Sequence, residues 1–372
     1  MLIDLMYVLN YFAIGWIGLM FLWLILSLLL KIRLKKNHFV VSIYLTVLSF
    51  TIFSFNYNPT IYTDLYRHFE VVELIRSSGI DFYYKNELIT SLLFNFVAST
   101  SYNQLLPTIT SLIRYTLFFV IIYRFTKRYR IDGLHMRLFL FVHFAFLPLI
   151  ESISGIRYYF AITILGYTLI DDFFFKRKVI YKTLHFIPLL VHTSTSMLLG
   201  LWLFSLKWIY QIIRPIRYIL LIWSMFYSNL ALFLQKVGVQ LTDTAANLLV
   251  VYVEEDRDIS INLIISRCLF VAIIYYIWYM IKVFDNQTFN SHINYYRFVE
   301  LLLLFTVGSI FIDVFFQRCV FFVSFICMPL FLHYFSSDKV GSKSKQIIYI
   351  ILVILSVGMY MNQVYGLIKG YF

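Results

Sequence analysis

Ile153-Ser154-Gly155-Ile156-Arg157-Tyr158-Tyr159-Phe160-Ala161 opens an apolar run that continues to residue 174. A run of about 20 residues is the length of a membrane crossing, and this one carries an arginine at its mouth. Ionisable side chains at membrane depth are costly and persist where a ligand or a partner compensates them. Val191-His192-Thr193-Ser194-Thr195-Ser196 makes a second polar island inside apolar sequence.

Runs of this kind recur along all 372 residues. Hydrophobic residues make up 61%, charged residues 13%, and the mean hydropathy is +0.80. The charged share is about half that of an ordinary soluble domain. The chain therefore reads as all-α: a polytopic integral membrane protein with about 12 transmembrane segments, forming a single transmembrane domain over residues 1–372. The runs are continuous and do not alternate residue by residue, which argues against a β-barrel. Residues 5–30 are long enough to span and no basic stretch precedes them, so no cleavable leader is expected. Cys268, Cys319 and Cys327 lie in apolar segments without metal-ligand spacing or a disulfide framework, and read as small core residues.

The formal charge of +12 raises nucleic acid as a partner, and its distribution argues against one. The basic residues fall in short clusters between apolar runs, at 31–36, 124–137, 176–182, 207–217, 282–297 and 339–345. That is the positive-inside pattern. With the clusters in the cytoplasm, 6–30 crosses inward, 38–56 outward, 104–124 inward, 137–152 outward and 156–174 inward. Residues 183–206 form two short halves broken around His192 to Ser196. Then 218–235 runs outward, 260–282 inward, 298–313 outward, 317–335 inward and 347–366 outward. Both termini are then outside, with outer loops at 57–103 and 236–259, and the outer face carries more acidic than basic residues. Leu88 to Ser99 is too short to span comfortably and reads as re-entrant or interfacial.

Several arginines fall on the outer side, which positive-inside topology disfavours. Arg67 lies in an outer loop. Arg114, Arg157, Arg267 and Arg318 lie within or at the outer ends of apolar segments. Arg157 after Ser154-Gly155, and Arg318 after Phe316-Gln317, are each expected on the first turn of an inward-going helix. There a guanidinium fork stands beside free helix N–H groups, which suits an anion. The competing account is a long basic chain snorkelling to headgroups. Glu151 and Asp313, at outer helix ends, are expected partners for Arg157 and Arg318. Tyr62-Thr63-Asp64-Leu65-Tyr66-Arg67-His68 interleaves aromatics with charge, which suits stacking on sugar faces and holding hydroxyls. An interfacial amphipathic helix with an aromatic belt explains it as well. His192, beside Thr193, Ser194 and Ser196, reads either as a satisfied core histidine or as an acid–base group. No metal site and no cofactor is expected, because the acidic run at 254–258 is consecutive and cannot converge on one ion.

These residues, in this order, resemble the EpsG-like branch of Wzy-type polysaccharide polymerases. The outer Tyr62–Tyr66 motif, Arg157 with Ala161 four positions on, His192 with Ser194, and the late Arg318 carry the resemblance. The chain departs from it at Tyr83-Tyr84-Lys85-Asn86-Glu87-Leu88, where the family often has a Glu-Pro-Gly-like element. The resemblance implies a GT-C-like bundle in the bacterial inner membrane. It implies an inverting, metal-independent glycosyl transfer on the outer face between undecaprenyl-pyrophosphate-linked glycans, for O-antigen, capsule or exopolysaccharide. A flippase and a chain-length regulator are the implied partners, beside the bilayer. Asp64, His192 and Arg157 are then the catalytic candidates. Arg67, Arg157, Arg318, Tyr62, Tyr66, Gln317 and Arg267 are the pyrophosphate and sugar ligands. The alternatives are a glycan ligase, a transferase using polyprenyl-phosphate sugars, and a lipid-linked glycan flippase.

Overall fold

The computed structural model describes residues 36–61, 63–79, 83–147, 149–175, 179–223 and 261–371, with a few positions between 18 and 26. Every regular element among them is helical. Three helices are long and apolar enough to cross a membrane, Leu105–Tyr129, Ile261–Phe284 and Ser342–Gln363, or up to five if two bent pairs each count as one span. The chain is thus membrane-embedded. The expected segment 218–235 and the loop 236–259 lie almost wholly outside the described residues.

The chain divides into two compact units, residues 1–199 with 361–372, and residues 200–360. In the first, α1 (Lys36–Asn56) is followed by α2 (Asp64–Ser78), α3 (Leu88–Ala98), α4 (Leu105–Tyr129), α5 (Gly133–Phe146), α6 (Leu149–Ser154), α7 (Ile156–Phe175) and α8 (Ile187–Val191). The long α4 packs along α1 and α7, while α3 is wedged against α2, α4 and α8.

Local sequence explains the stops. Gly79 ends α2 in the left-handed region, φ 64°, and its N–H returns to the Ile75 carbonyl at 2.9 Å. Arg76 ties α2 to the far end of α3: its Nε donates to the Ala98 carbonyl and its guanidinium to Asn103. Leu147 precedes Pro148 and is extended, so α5 ends at Phe146 after only 14 residues. The expected crossing at 137–152 is therefore two pieces, α5 and α6, and not one helix. A Cβ at Gly155 would press to 3.2 Å on the Glu151 carbonyl oxygen and the Tyr159 ring, which is why the α6–α7 corner takes a glycine. Thr90 Oγ1 donates to the Val191 carbonyl at 2.6 Å and locks α3 to α8.

The second unit holds most of α9 (Thr195–Ser205), then α10 (Lys207–Ile213) and a 3-10 turn over Arg217–Leu221. It continues with α11 (Ile261–Phe284), α12 (Asn286–Ser291), α13 (Ile293–Gly308), α14 (Asp313–Ile326), α15 (Met328–Ser336) and most of α16 (Ser342–Tyr371). The 3-10 turn lies on α13, which also packs on α11 and α14. At Gly308 a side chain would overlap the Leu220 carbonyl oxygen, so the absent Cβ lets two backbones touch. Trp223 stacks on Phe305 at 4.8 Å and donates its indole N–H to the Phe305 carbonyl.

Candidate functional site

The break expected at His192 to Ser196 is present. Pro188 opens the short α8, Val191 closes it, and His192 is extended at φ −155°, ψ 118°. Thr195 begins α9, and its N–H and hydroxyl both donate to the His192 carbonyl, at 3.1 and 2.7 Å. An imidazole is thereby held at a gap between two helices.

Arg157 lies on the first turn of α7, as its position after Ser154-Gly155 suggests. One turn on, Ala161 is fully buried and packs with Phe160 and Val191. The small side chain brings α7 up against the helix that ends at His192. The spacing between Arg157 and Ala161 therefore has a packing reason.

Between the two stands a residue the sequence reading passed over. Glu87 is the cap position before α3 and is 6% exposed. Its Oε2 accepts from Arg157 Nη1 at 2.9 Å; its Oε1 pairs with His192 Nδ1 at 2.9 Å and accepts from the Thr193 N–H at 3.2 Å. A carboxylate at a helix N-terminus is also favoured by the peptide dipoles. Burial lifts the Glu87 pKa. The hydrogen bond from His192 and the Arg157 charge outweigh burial and hold the carboxyl below its usual range. The signal was legible in kind. Glu87 is the charge that directly precedes the apolar run 88–98, as Arg157 is the charge at the mouth of its own. The lack of proline and glycine over 83–88 carries no information about it. The expected partner Glu151 is exposed on α6, and the carboxylate bonded to Arg157 is Glu87.

Aromatic rings complete the site. The Arg157 guanidinium lies 4.2 Å above the Tyr84 ring, and Tyr158 stands edge-on to His192 at 5.8 Å. Tyr84 OH shares a 3.3 Å hydrogen bond with His68 Nδ1, and His68 also packs edge-on to Phe94. Burial, then the Arg157 charge, pushes the His68 pKa down to about 3, so the imidazole is neutral. Burial raises the Tyr84 phenol above its usual value. Beside this cluster a small cleft, lined by Leu93, Phe94, Ile156, Arg157 and Phe160 among others, is apolar except at the arginine and two threonines.

Asp64 begins α2 and forms an ion pair with the exposed Arg67 one turn on. The Leu65 N–H donates to Ser154 Oγ at 3.1 Å, which anchors this end of α2 at the corner leading to Arg157. Through His68 and Tyr84 the Asp64 helix is joined to the Glu87 group. Tyr66 is half-buried on α2, and Tyr62 lies outside the described residues. Arg114 is buried in α4 and bonded to the Ser152 carbonyl, with its guanidinium 4.6 Å from the Tyr115 ring.

The other candidates belong to the second unit. Gln317 is buried and Arg318 half-buried on α14, and Arg267 is buried on α11. Arg318 is the sixth residue of α14, a turn deeper than expected, because the helix already begins at Asp313. It therefore does not sit with the free N–H groups of the helix start. Among the described residues no three His, Cys, Asp or Glu side chains gather as a metal-ligand set.

No family model, no curated protein and no solved structure matches this chain.

Proposed function

We propose that the chain is a membrane glycosyltransferase of the Wzy type. It would polymerise undecaprenyl-pyrophosphate-linked repeat units on the outer face of a bacterial inner membrane, within a GT-C-like bundle of about 12 spans. The observation that carries the reading is Glu87 bonded at once to Arg157 and to His192 at a helix break.

A carboxylate on one imidazole nitrogen fixes the tautomer and stabilises the imidazolium that forms on proton uptake. With Nδ1–H donating to Glu87, Nε2 carries the lone pair. His192 then takes the proton of an acceptor sugar hydroxyl. The oxygen attacks the anomeric carbon of the donor from the face opposite the pyrophosphate. The new C–O bond forms as the bond to the lipid pyrophosphate breaks, with inversion. Glu87 and Arg157 balance each other, so the site is neutral while His192 is neutral. Proton transfer makes His192 cationic as the leaving group gains negative charge, and Arg157 contributes electrostatic stabilisation there. Asp64 and Arg67 on α2, with Tyr66, line the approach for sugar hydroxyls.

The test is chain length. Cells lacking the gene should accumulate single lipid-linked repeat units, and a His192→Ala copy present in the membrane should not restore long chains. Normal polymer from that variant would sink the reading. Long chains that form but stay on the lipid carrier identify a ligase. Repeat units trapped inside identify a flippase. Loss of one branch sugar identifies a polyprenyl-phosphate-sugar transferase.

A further inference from the structure

The 97° bend between α9 and α10 turns the chain aside at a place rich in basic and aromatic residues. No acidic residue occurs between Asp172 and Asp243, while Lys207, Arg214 and Arg217 fall on or just after α10. At about 3.6 residues per turn, α10 has three edges. Ile209, Tyr210 and Ile213 face the protein, and Tyr210 is buried. Lys207, Gln211 and Arg214 form an exposed polar edge. Trp208 and Ile212 form an exposed apolar edge, 67% and 69% accessible, and Ile216 and Ile219 extend it at 59% and 61%.

The element is pinned. Glu300 of α13 is buried and accepts from Tyr210 OH and from Arg217 Nε, the latter at 3.1 Å. Arg217 Nη1 donates to the Arg214 carbonyl at 2.6 Å, and the Arg297 guanidinium lies 4.9 Å from the Tyr210 ring. Among the described residues Glu300 is the carboxylate that pairs with Arg217, which leaves Lys207, Arg214 and Arg297 as net positive charge around the element.

We infer that residues 207–219 are a binding site for anionic lipid headgroups, with α10 lying in the membrane interface. A helix with one packed edge, one apolar edge ending in tryptophan and one basic edge satisfies three media at once: protein, acyl chains and headgroups. Basic residues just beyond a crossing attract anionic lipid. The charge placement of the whole sequence puts this cluster on the cytoplasmic leaflet. The inference is independent of the chemistry proposed at Glu87.

The full chain is reconstituted in nanodiscs of phosphatidylcholine, with either brominated phosphatidylglycerol or brominated phosphatidylcholine as a minor component at equal mole fraction. Trp208 emission is taken as the difference between the wild type and Trp208→Phe. Brominated phosphatidylglycerol should quench it roughly threefold more at low salt. The preference should vanish in the Lys207→Gln/Arg214→Gln protein and survive in Arg214→Lys, which keeps the charge and controls for folding. Equal quenching by the two lipids in the wild type overturns the inference. So does a preference that outlasts the double substitution. Displacement of the preference by millimolar inorganic phosphate at constant ionic strength also overturns it, by making the site one for a free anion.

Discussion

Each unit of this protein buries a carboxylate that receives two side-chain partners, yet the two differ in what they hold and where. Glu87 holds Arg157 and His192. Glu300 holds Arg217 and Tyr210. One partner of Glu87 is an imidazole, which changes charge in the ordinary pH range, and it stands where a helix is interrupted. The partners of Glu300 are a phenol on α10 and a guanidinium at the start of the 3-10 turn, and that turn lies on a continuous helix. A carboxylate is thus a clamp in one unit and, in the reaction proposed above, the partner of the proton-accepting imidazole in the other. The difference comes from the partner residue and from the local backbone.

That contrast can be broken by substitution. Glu87→Ala strands an arginine and a histidine in a poorly solvated place, and should cost about 3–5 kcal/mol, read as loss of thermal stability in detergent. Glu87→Gln keeps the shape but no longer orients or stabilises an imidazolium. It should fold and lose about 100-fold or more in chain elongation, measured with lipid-linked repeat units. Gly308→Ala drives a methyl into the Leu220 carbonyl. It should cost about 1–3 kcal/mol and shift the emission of Trp223, without slowing elongation.

Glu300→Gln should cost a similar about 1–3 kcal/mol and leave the pH profile of elongation unchanged. A rate loss equal to that of Glu87→Gln would erase the distinction between the two carboxylates. His68 offers a smaller, graded effect. Its pKa is near 3 in the fold against 6.5 unfolded, so between those values the unfolded chain binds the extra proton. Stability is complete above about pH 6.5 and falls with acidification by at most about 1.4 kcal/mol per pH unit. Hydrogen exchange across Asp64–Ser78, corrected for intrinsic rates, should show this slope, and His68→Gln should remove it. Least of all, Arg67→Ala breaks an ion pair whose arginine is 63% exposed. It should change stability by no more than about 1 kcal/mol, so any loss of elongation there reports on substrate.

Much of the first unit was legible in the chain. The break at His192, the helix opening at Arg157 and the short helix after Leu88 all follow from local signals: polar islands, a small-residue corner and run length. Local signals also misled. Residues 137–152 read as one crossing because hydropathy ignores what Pro148 does to Leu147. Arg318 reads as a first-turn residue because nothing local marks the helix start five positions earlier, at Asp313.

By itself, the sequence determined an all-helical membrane chain, its basic clusters and the polar residues that apolar runs must compensate. Hydropathy and charge are summed along the chain, so they survive without any knowledge of neighbours. Only the tertiary structure decided who compensates whom. Glu87 meets His192, 105 positions later, because Ala161 and the Thr90–Val191 bond bring α7, α3 and α8 together. Glu300 meets Arg217, 83 positions earlier, where Gly308 lets the 3-10 turn lie directly on α13. Partnership across such separations is set by packing, and packing is a property of surfaces that no stretch of sequence displays alone.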